Sequence, residues 1–424
     1  MKKILIQHGE VVQPNGPKGK LDILIEGGVI VNIAPNIEDA DAETVDATGM
    51  TLVPGFVDMH VHLREPGHEY KEDIASGTLA ALHGGYTAVA CMPNTDPIND
   101  DITITSFILK RAEQANNCRV WPIASITKGL KGEELTEMGL LLQEGAVAFS
   151  DDGKPVSHSA KMRLALQYAK NFDALLMQHC EDMDLAAEGV MNEGSVSVRI
   201  GLKGIPASAE SIMVARDIEL AREYDGRIHF CHMSTASSME LIRRAKAEGL
   251  KVSCETAPHY FAANEKWVEE REYDPCTKMN PPLRSERDVE AIIAGLADGT
   301  IDAIATDHAP HHRDEKEVEF NIALNGIVGL ETAFSLGYTH LVKTNKLSFE
   351  RLVECMSTTP CRLLGVPGGI LDVGAVADIT MLNPDASITY TADMLHSKGK
   401  NTPFLNREYS GRVVHTMVGG EWKI

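Results

Sequence analysis

Residues 53–67 read VPGFVDMHVHLREPG, an apolar run that ends on His60 and His62. Side chains alternate faces along a strand, so a His-x-His pair puts both imidazoles on one face. Imidazole is a common ligand for zinc and related ions, and a strand end can hold two such ligands rigidly. Alone, such a pair also suits ordinary surface or hydrogen-bonded histidines. The later strands of the chain decide between the two.

Between about 55 and 364, apolar β-like runs alternate with helical patterns. The runs are 55–62, 86–92, 119–125, 146–150, 174–179, 227–232, 251–256 and 301–307. Amphipathic segments lie between them, at 71–83, 102–115, 160–170, 208–223, 237–248 and 286–296. Eight strands alternating with helices predict an α/β fold of the (β/α)8 TIM-barrel type. A doubly wound open sheet is the alternative, but no GxGxxG follows the first strand to support it.

In such barrels the chemistry sits at the C-terminal ends of the strands. Here the first run ends in His60 and His62, and the fourth leads into Ser150-Asp151-Asp152-Gly153. The fifth ends in His179, the sixth in His232 and the eighth in Asp307-His308. Four histidines and two aspartates thus reach one rim from five strands. That exceeds the three protein ligands of a usual mononuclear catalytic zinc site. It suits two divalent ions about 3.5–4 Å apart, bridged by a carboxylate and a hydroxide, and hence hydrolysis of a polarised carbonyl.

The two ends of the chain differ from the middle. Residues 1–54 and 365–424 are short, alternating β-like stretches without a cluster of catalytic residue types, and predict one small β domain built from both termini. The barrel is expected over 55–364. Apolar residues make up 43% and charged residues 24%, as in a soluble globular protein. Lys and Arg total 40 against 61 acids, a net charge of −21, which argues against nucleic acid and anionic membranes as partners. The start, MKKILIQHGEVVQ, has too short an apolar run for a signal-peptide core, and no stretch approaches a membrane span. Eight cysteines without CxxC spacing read as reduced core residues of a cytoplasmic protein.

DMHVHLREPG, ACMPNT, FSDDG, QHCED, HFCHMST, KMNPPLR, ATDHAPH and the late NTPF together resemble the dihydroorotases of the amidohydrolase superfamily, in the long form common in bacteria. The resemblance runs through nearly the whole chain. It implies reversible, zinc-dependent cyclisation of N-carbamoyl-L-aspartate to L-dihydroorotate and water, in pyrimidine biosynthesis. It also implies two zinc ions per subunit, one on His60, His62 and Asp307 and the other on His179 and His232, bridged by Asp152 and a hydroxide. Asp151 stands beside Asp152; the 27 residues from Asp152 to His179 favour Asp152 by analogy. Lys154 is the alternative, as a carboxylated lysine of the kind hydantoinases use.

By the same resemblance Asp307 is the catalytic acid and base. The small-molecule substrate is recognised by His62, Arg64, Asn94, Asn280 and His311, with Asn325 and Gly326 contributing backbone. The family's Pro-Phe-Gly near 324–326 is reduced here to the glycine, which puts the local pocket shape in question. His308 is expected to orient a ligand, and residues 312–320 form either a closing loop or a solvated one. A homo-oligomer and an assembly with aspartate carbamoyltransferase are both compatible with the resemblance. A silent structural partner of that enzyme would have lost metal ligands, whereas all six are present.

Overall fold

The computed structural model describes residues 2–424. Eight strands follow one another in a single sheet in chain order: Phe56–Val61, Tyr86–Cys91, Arg119–Ala124, Ala148–Ser150, Leu176–Gln178, Ile228–Phe230, Val252–Thr256 and Ala303–Ile304. Each pairs in parallel with the next. Val61 bridges His308 in parallel, and the His62 amide donates to the His308 carbonyl at 2.9 Å. That seam closes the ring, as a barrel requires and an open doubly wound sheet does not allow.

Helices cover the outside, and short polar residues start them. Asp73, Asp101, Thr235 and Ser285 each accept a backbone N–H in the first turn of Ile74–His83, Ile102–Ala115, Ala236–Ala247 and Glu286–Asp298. A cluster of Met59, Ala90, Ile123, Ala148, Met177, Cys231 and Ala303 draws on seven of the eight strands or their ends. It is the layered interior packing expected of a small closed barrel.

Strands from both ends of the chain share a second sheet. Thr51–Pro54 runs parallel to Lys3–Val11 on one side and antiparallel to Ile379–Thr389 on the other. Gly55 joins that strand to the first barrel strand, where a Cβ would lie 2.3 Å from the Thr87 side chain. Only glycine leaves room there for the Thr87 side chain.

The 312–320 segment is partly helical, with Arg313–Lys316 capped by His312. Glu315 ties it to the first-strand loop through the Tyr70 hydroxyl (2.9 Å) and Lys71 Nζ (2.8 Å). Lys316 is buried and donates to the carbonyls of Leu324 (2.7 Å) and Gly326 (3.1 Å). Among the described residues no helix is long and apolar enough to cross a membrane.

Candidate metal centre and its cleft

All six residues expected at the strand ends meet at one rim, and all are buried. Asp152 stands at the centre. Its carboxylate lies 3.5 Å from His60 Nε2, 3.5 Å from His62 Nε2, 3.5 Å from His179 Nδ1 and 3.3 Å from His232 Nε2. Asp307 closes one side, 3.4 Å from His60 Nε2 and 3.2 Å from His62 Nε2. Two triads share this ground, His60–His62–Asp307 and Asp152–His179–His232. Asp151 faces away, its carboxylate accepting from the amides of Ile126 (2.8 Å) and Thr127 (2.9 Å). Lys154 is exposed, which leaves Asp152 as the carboxylate between the histidines.

The donor set fits divalent cations. His60 Nδ1 donates to Glu255 Oε1 at 2.6 Å, which leaves Nε2 as the bare nitrogen. That Nε2 is buried without a hydrogen-bond partner among the described residues and faces two carboxylates. His179 repeats the pattern, with Nε2 on Glu181 Oε2 at 3.0 Å and Nδ1 turned to Asp152. Ligand atoms about 2.0–2.1 Å from a tetrahedral zinc stand roughly 3.3–3.4 Å apart. The carboxylate-to-imidazole spacings of 3.2–3.5 Å match, while the His179 Nδ1–His232 Nε2 pair is closer, at 2.9 Å. Burial works to raise the Asp152 carboxyl, but His60, His179 and His232 outweigh it and hold it well below the usual carboxylate range. The same contest at Glu255, between burial and the His60 and His229 imidazoles, ends at about 2. Both acids therefore stay ionised despite their burial.

Three site residues have backbones in the left-handed region: Arg64 (φ 62°), His232 (φ 39°) and Asp307 (φ 48°). None is glycine, so each bears a conformational cost that the surrounding structure sustains.

Above the centre lies a cleft of about 180 Å³, lined by His62, Arg64, Asn94, Asp152, Gly153, His179, His232, Met279, Asn280, Asp307, Ala309, His311 and Asn325. Arg64 donates through Nε to the Pro310 carbonyl (3.2 Å), and its two terminal nitrogens have no partner among the described residues. Asn94 Oδ1 accepts from His62 Nδ1 at 2.9 Å, and Asn280 Nδ2 donates to Glu181 Oε2 at 3.0 Å. His311 donates from Nε2 to the Asn325 carbonyl (2.7 Å). Burial, Arg64 and Lys71 lower it to about 3, so the ring is neutral near pH 7.

Two expected residues stand elsewhere. Gly326 lies behind the wall, its N–H on the Lys278 carbonyl and its own carbonyl accepting from Lys316 and Asn401, so no backbone group remains to face the cleft. The His308 ring faces no candidate ligand; Nδ1 accepts from the Gly329 amide (3.2 Å), and Nε2 faces Glu72 at 3.4 Å. Glu181 and Glu255 escaped the sequence reading. The available signal was a carboxylate inside or just after an apolar strand, since buried acids are rarely unpaired.

Fold and site together define a (β/α)8 barrel whose rim carries a candidate centre for divalent cations. The family model described as dihydro-orotase-like matches residues 49–238. Over 420 residues the chain is 52% identical to the dihydroorotase of Geobacter metallireducens, covering 99% of this chain and 98% of that protein. It is likewise 52% identical over 419 residues to the dihydroorotase of Syntrophotalea carbinolica, with the same coverage. The chain belongs to the dihydroorotase family. Among solved structures, the L-hydantoinase (dihydropyrimidinase) of Arthrobacter aurescens superposes with a TM-score of 0.89 at 26% identity, over 100% of this chain and 96% of that one.

Proposed function

We propose that the cleft closes N-carbamoyl-L-aspartate to L-dihydroorotate and water, and opens the ring in reverse, at a centre of two zinc ions. His60, His62 and Asp307 would hold one ion, His179 and His232 the other, and Asp152 both. The observation that carries the substrate is Arg64. A guanidinium with two unpartnered terminal nitrogens, set in a cleft with two carboxylates, is matched by a substrate that brings a carboxylate of its own. Hydantoin and dihydrouracil have no such group. Asn94 and Asn280 each spend one amide atom on the metal-side residues His62 and Glu181, which leaves the other atom of the amide for the ring. His311 and Asn325 form the wall beyond Arg64.

When bound, the ions would polarise the ring carbonyl and lower the pKa of a water molecule beside it. The chain's own residues bind, orient and move the proton. Asp307 stands beside His60 and His62 and lines the same cleft as Arg64. In ring opening it takes a proton from the attacking water and delivers it to the leaving ring nitrogen; in ring closure it is the general acid. The closely packed, buried rim keeps bulk water from competing for that proton.

The test is hydrolysis of L-dihydroorotate by the purified chain loaded with zinc, run beside hydantoin and 5,6-dihydrouracil. Ring opening of dihydroorotate alone, stopped by a chelator and restored by zinc at two equivalents per chain, is the expected result. Turnover of the rings without a carboxylate in preference to dihydroorotate would overturn the reading.

A further inference from the structure

The NTPF stretch, residues 401–404, takes no part in the metal centre, yet Asn401 is only 4% exposed and every polar atom of its side chain is engaged. Its Oδ1 accepts from the His311 amide at 3.0 Å. Its Nδ2 donates to the carbonyls of Ala309 (3.0 Å) and Gly326 (2.9 Å). Its own carbonyl accepts from the Val328 amide at 3.0 Å. Only one orientation of the amide satisfies these partners, because the reverse would set N–H against N–H and oxygen against two carbonyls.

The two loops it joins are the far wall of the cleft. One carries Ala309 and His311, the other Asn325, and all three line the cleft. Between Ala309 and His311 lies Pro310, whose carbonyl receives Arg64 Nε. A run of contacts therefore passes from Asn401 through the 309–311 backbone to the guanidinium. On the cleft side, His311 bonds Asn325 across the same joint. Among the described residues, no hydrogen bond of this run reaches the six residues of the metal centre.

We propose that Asn401 is a positioning residue for substrate binding, clamping the 309–311 and 325–328 loops from behind so that Arg64 and His311 keep their aim at the substrate's carboxylate end. This rests on the substrate reading under Proposed function. Asparagine is required by the chemistry of the joint. Aspartate would place a carboxylate oxygen against two carbonyls, and alanine would leave the His311 amide and the Ala309 carbonyl buried without partners and the Gly326 carbonyl with Lys316 alone.

The experiment compares Asn401→Ala and Asn401→Asp with Lys398→Met. Lys398 anchors the same segment to the Glu69 carbonyl and to Asp73, and makes no hydrogen bond to either loop among the described residues. For L-dihydroorotate hydrolysis, the Asn401 variants are expected to raise KM about 10-fold or more. Their kcat should stay within a few-fold of wild type and their zinc content should be full, while Lys398→Met leaves KM unchanged. Gly326→Ala attacks the joint from its other side, since at φ 155° its Cβ would stand 2.6 Å from the Ala309 carbonyl, and it should raise KM in the same way. That variant carries the test if the Asn401 substitutions fail to fold.

Hydrogen–deuterium exchange gives a readout that needs no substrate: peptides spanning 309–311 should exchange faster in Asn401→Ala than in Lys398→Met. An unchanged KM in a folded Asn401→Ala or Gly326→Ala chain, equal falls in kcat and kcat/KM, or unchanged exchange at 309–311 overturns the assignment. A wild-type chain that leaves dihydroorotate intact while the exchange result holds would instead strike the substrate reading.

Discussion

Glu255 Oε1 stands 2.6 Å from His60 Nδ1, on the seventh barrel strand, which like the second and third sends no candidate ligand to the rim. Its other oxygen faces His229 Nε2 at 3.2 Å, and His229 Nδ1 in turn meets Ser253 Oγ at 2.8 Å. A carboxylate behind a ligating imidazole fixes the tautomer and raises the basicity of the nitrogen that faces the metal. Replacing Glu255 by Gln should weaken metal binding about 10–100-fold with little change in fold. Chelator competition on the purified variant measures this directly. Wild-type metal affinity would show that His60 needs no such anchor.

Asp307→Asn keeps the size of the side chain and removes the base. Turnover should fall by about three orders of magnitude, the middle of the range that a positioned acid or base contributes. Circular dichroism and thermal midpoint should remain near wild type. Near-normal kcat in that variant would assign the proton to another group.

Arg64→Met preserves the aliphatic stem and deletes the charge. A charge-assisted hydrogen bond is worth about 1.5–3 kcal/mol, so KM for dihydroorotate should rise roughly 10–100-fold. An unchanged KM would remove Arg64 from carboxylate recognition.

His83 and His396 stack face to face, with ring centroids 3.5 Å apart and planes 4° from parallel. Burial and the neighbouring His396 hold His83 down at about 4, from an ordinary value of 6.5. The folded chain therefore resists a proton that the unfolded chain accepts. Stability is full above pH 6.5 and declines as pH falls toward 4. In His83→Gln, the drop in urea midpoint between about pH 7 and pH 4.5 should be smaller than in wild type. An equal drop would clear His83 of any part in acid sensitivity.

The barrel and its candidate metal ligands were legible because both depend on local pattern. Each strand is an apolar run, and each expected ligand lies at or just beyond the end of one, as with His179 after Gln178 and His232 after Phe230. Residues that support the site were hidden because their partners are remote in the chain. Glu255 is 195 residues from His60, and Asn401 is 90 from His311. Nothing local to KVSCET or NTPF states that a loop or an imidazole will arrive there. His308 misled for a related reason. It adjoins Asp307 in sequence, but the left-handed turn at Asp307 and the barrel seam direct its ring to Glu72 and Gly329 instead.

The second sheet also sets a timetable for synthesis. Lys3–Val11 and Thr51–Pro54 leave the ribosome early, but the strand that pairs with Thr51–Pro54 on its far side is Ile379–Thr389. At roughly 5–20 residues per second that partner arrives some tens of seconds later. Throughout that interval the early strands present an unpaired edge, an invitation to association with other nascent chains. A chain stalled before Ile379 should therefore be a client for chaperones, however complete its barrel.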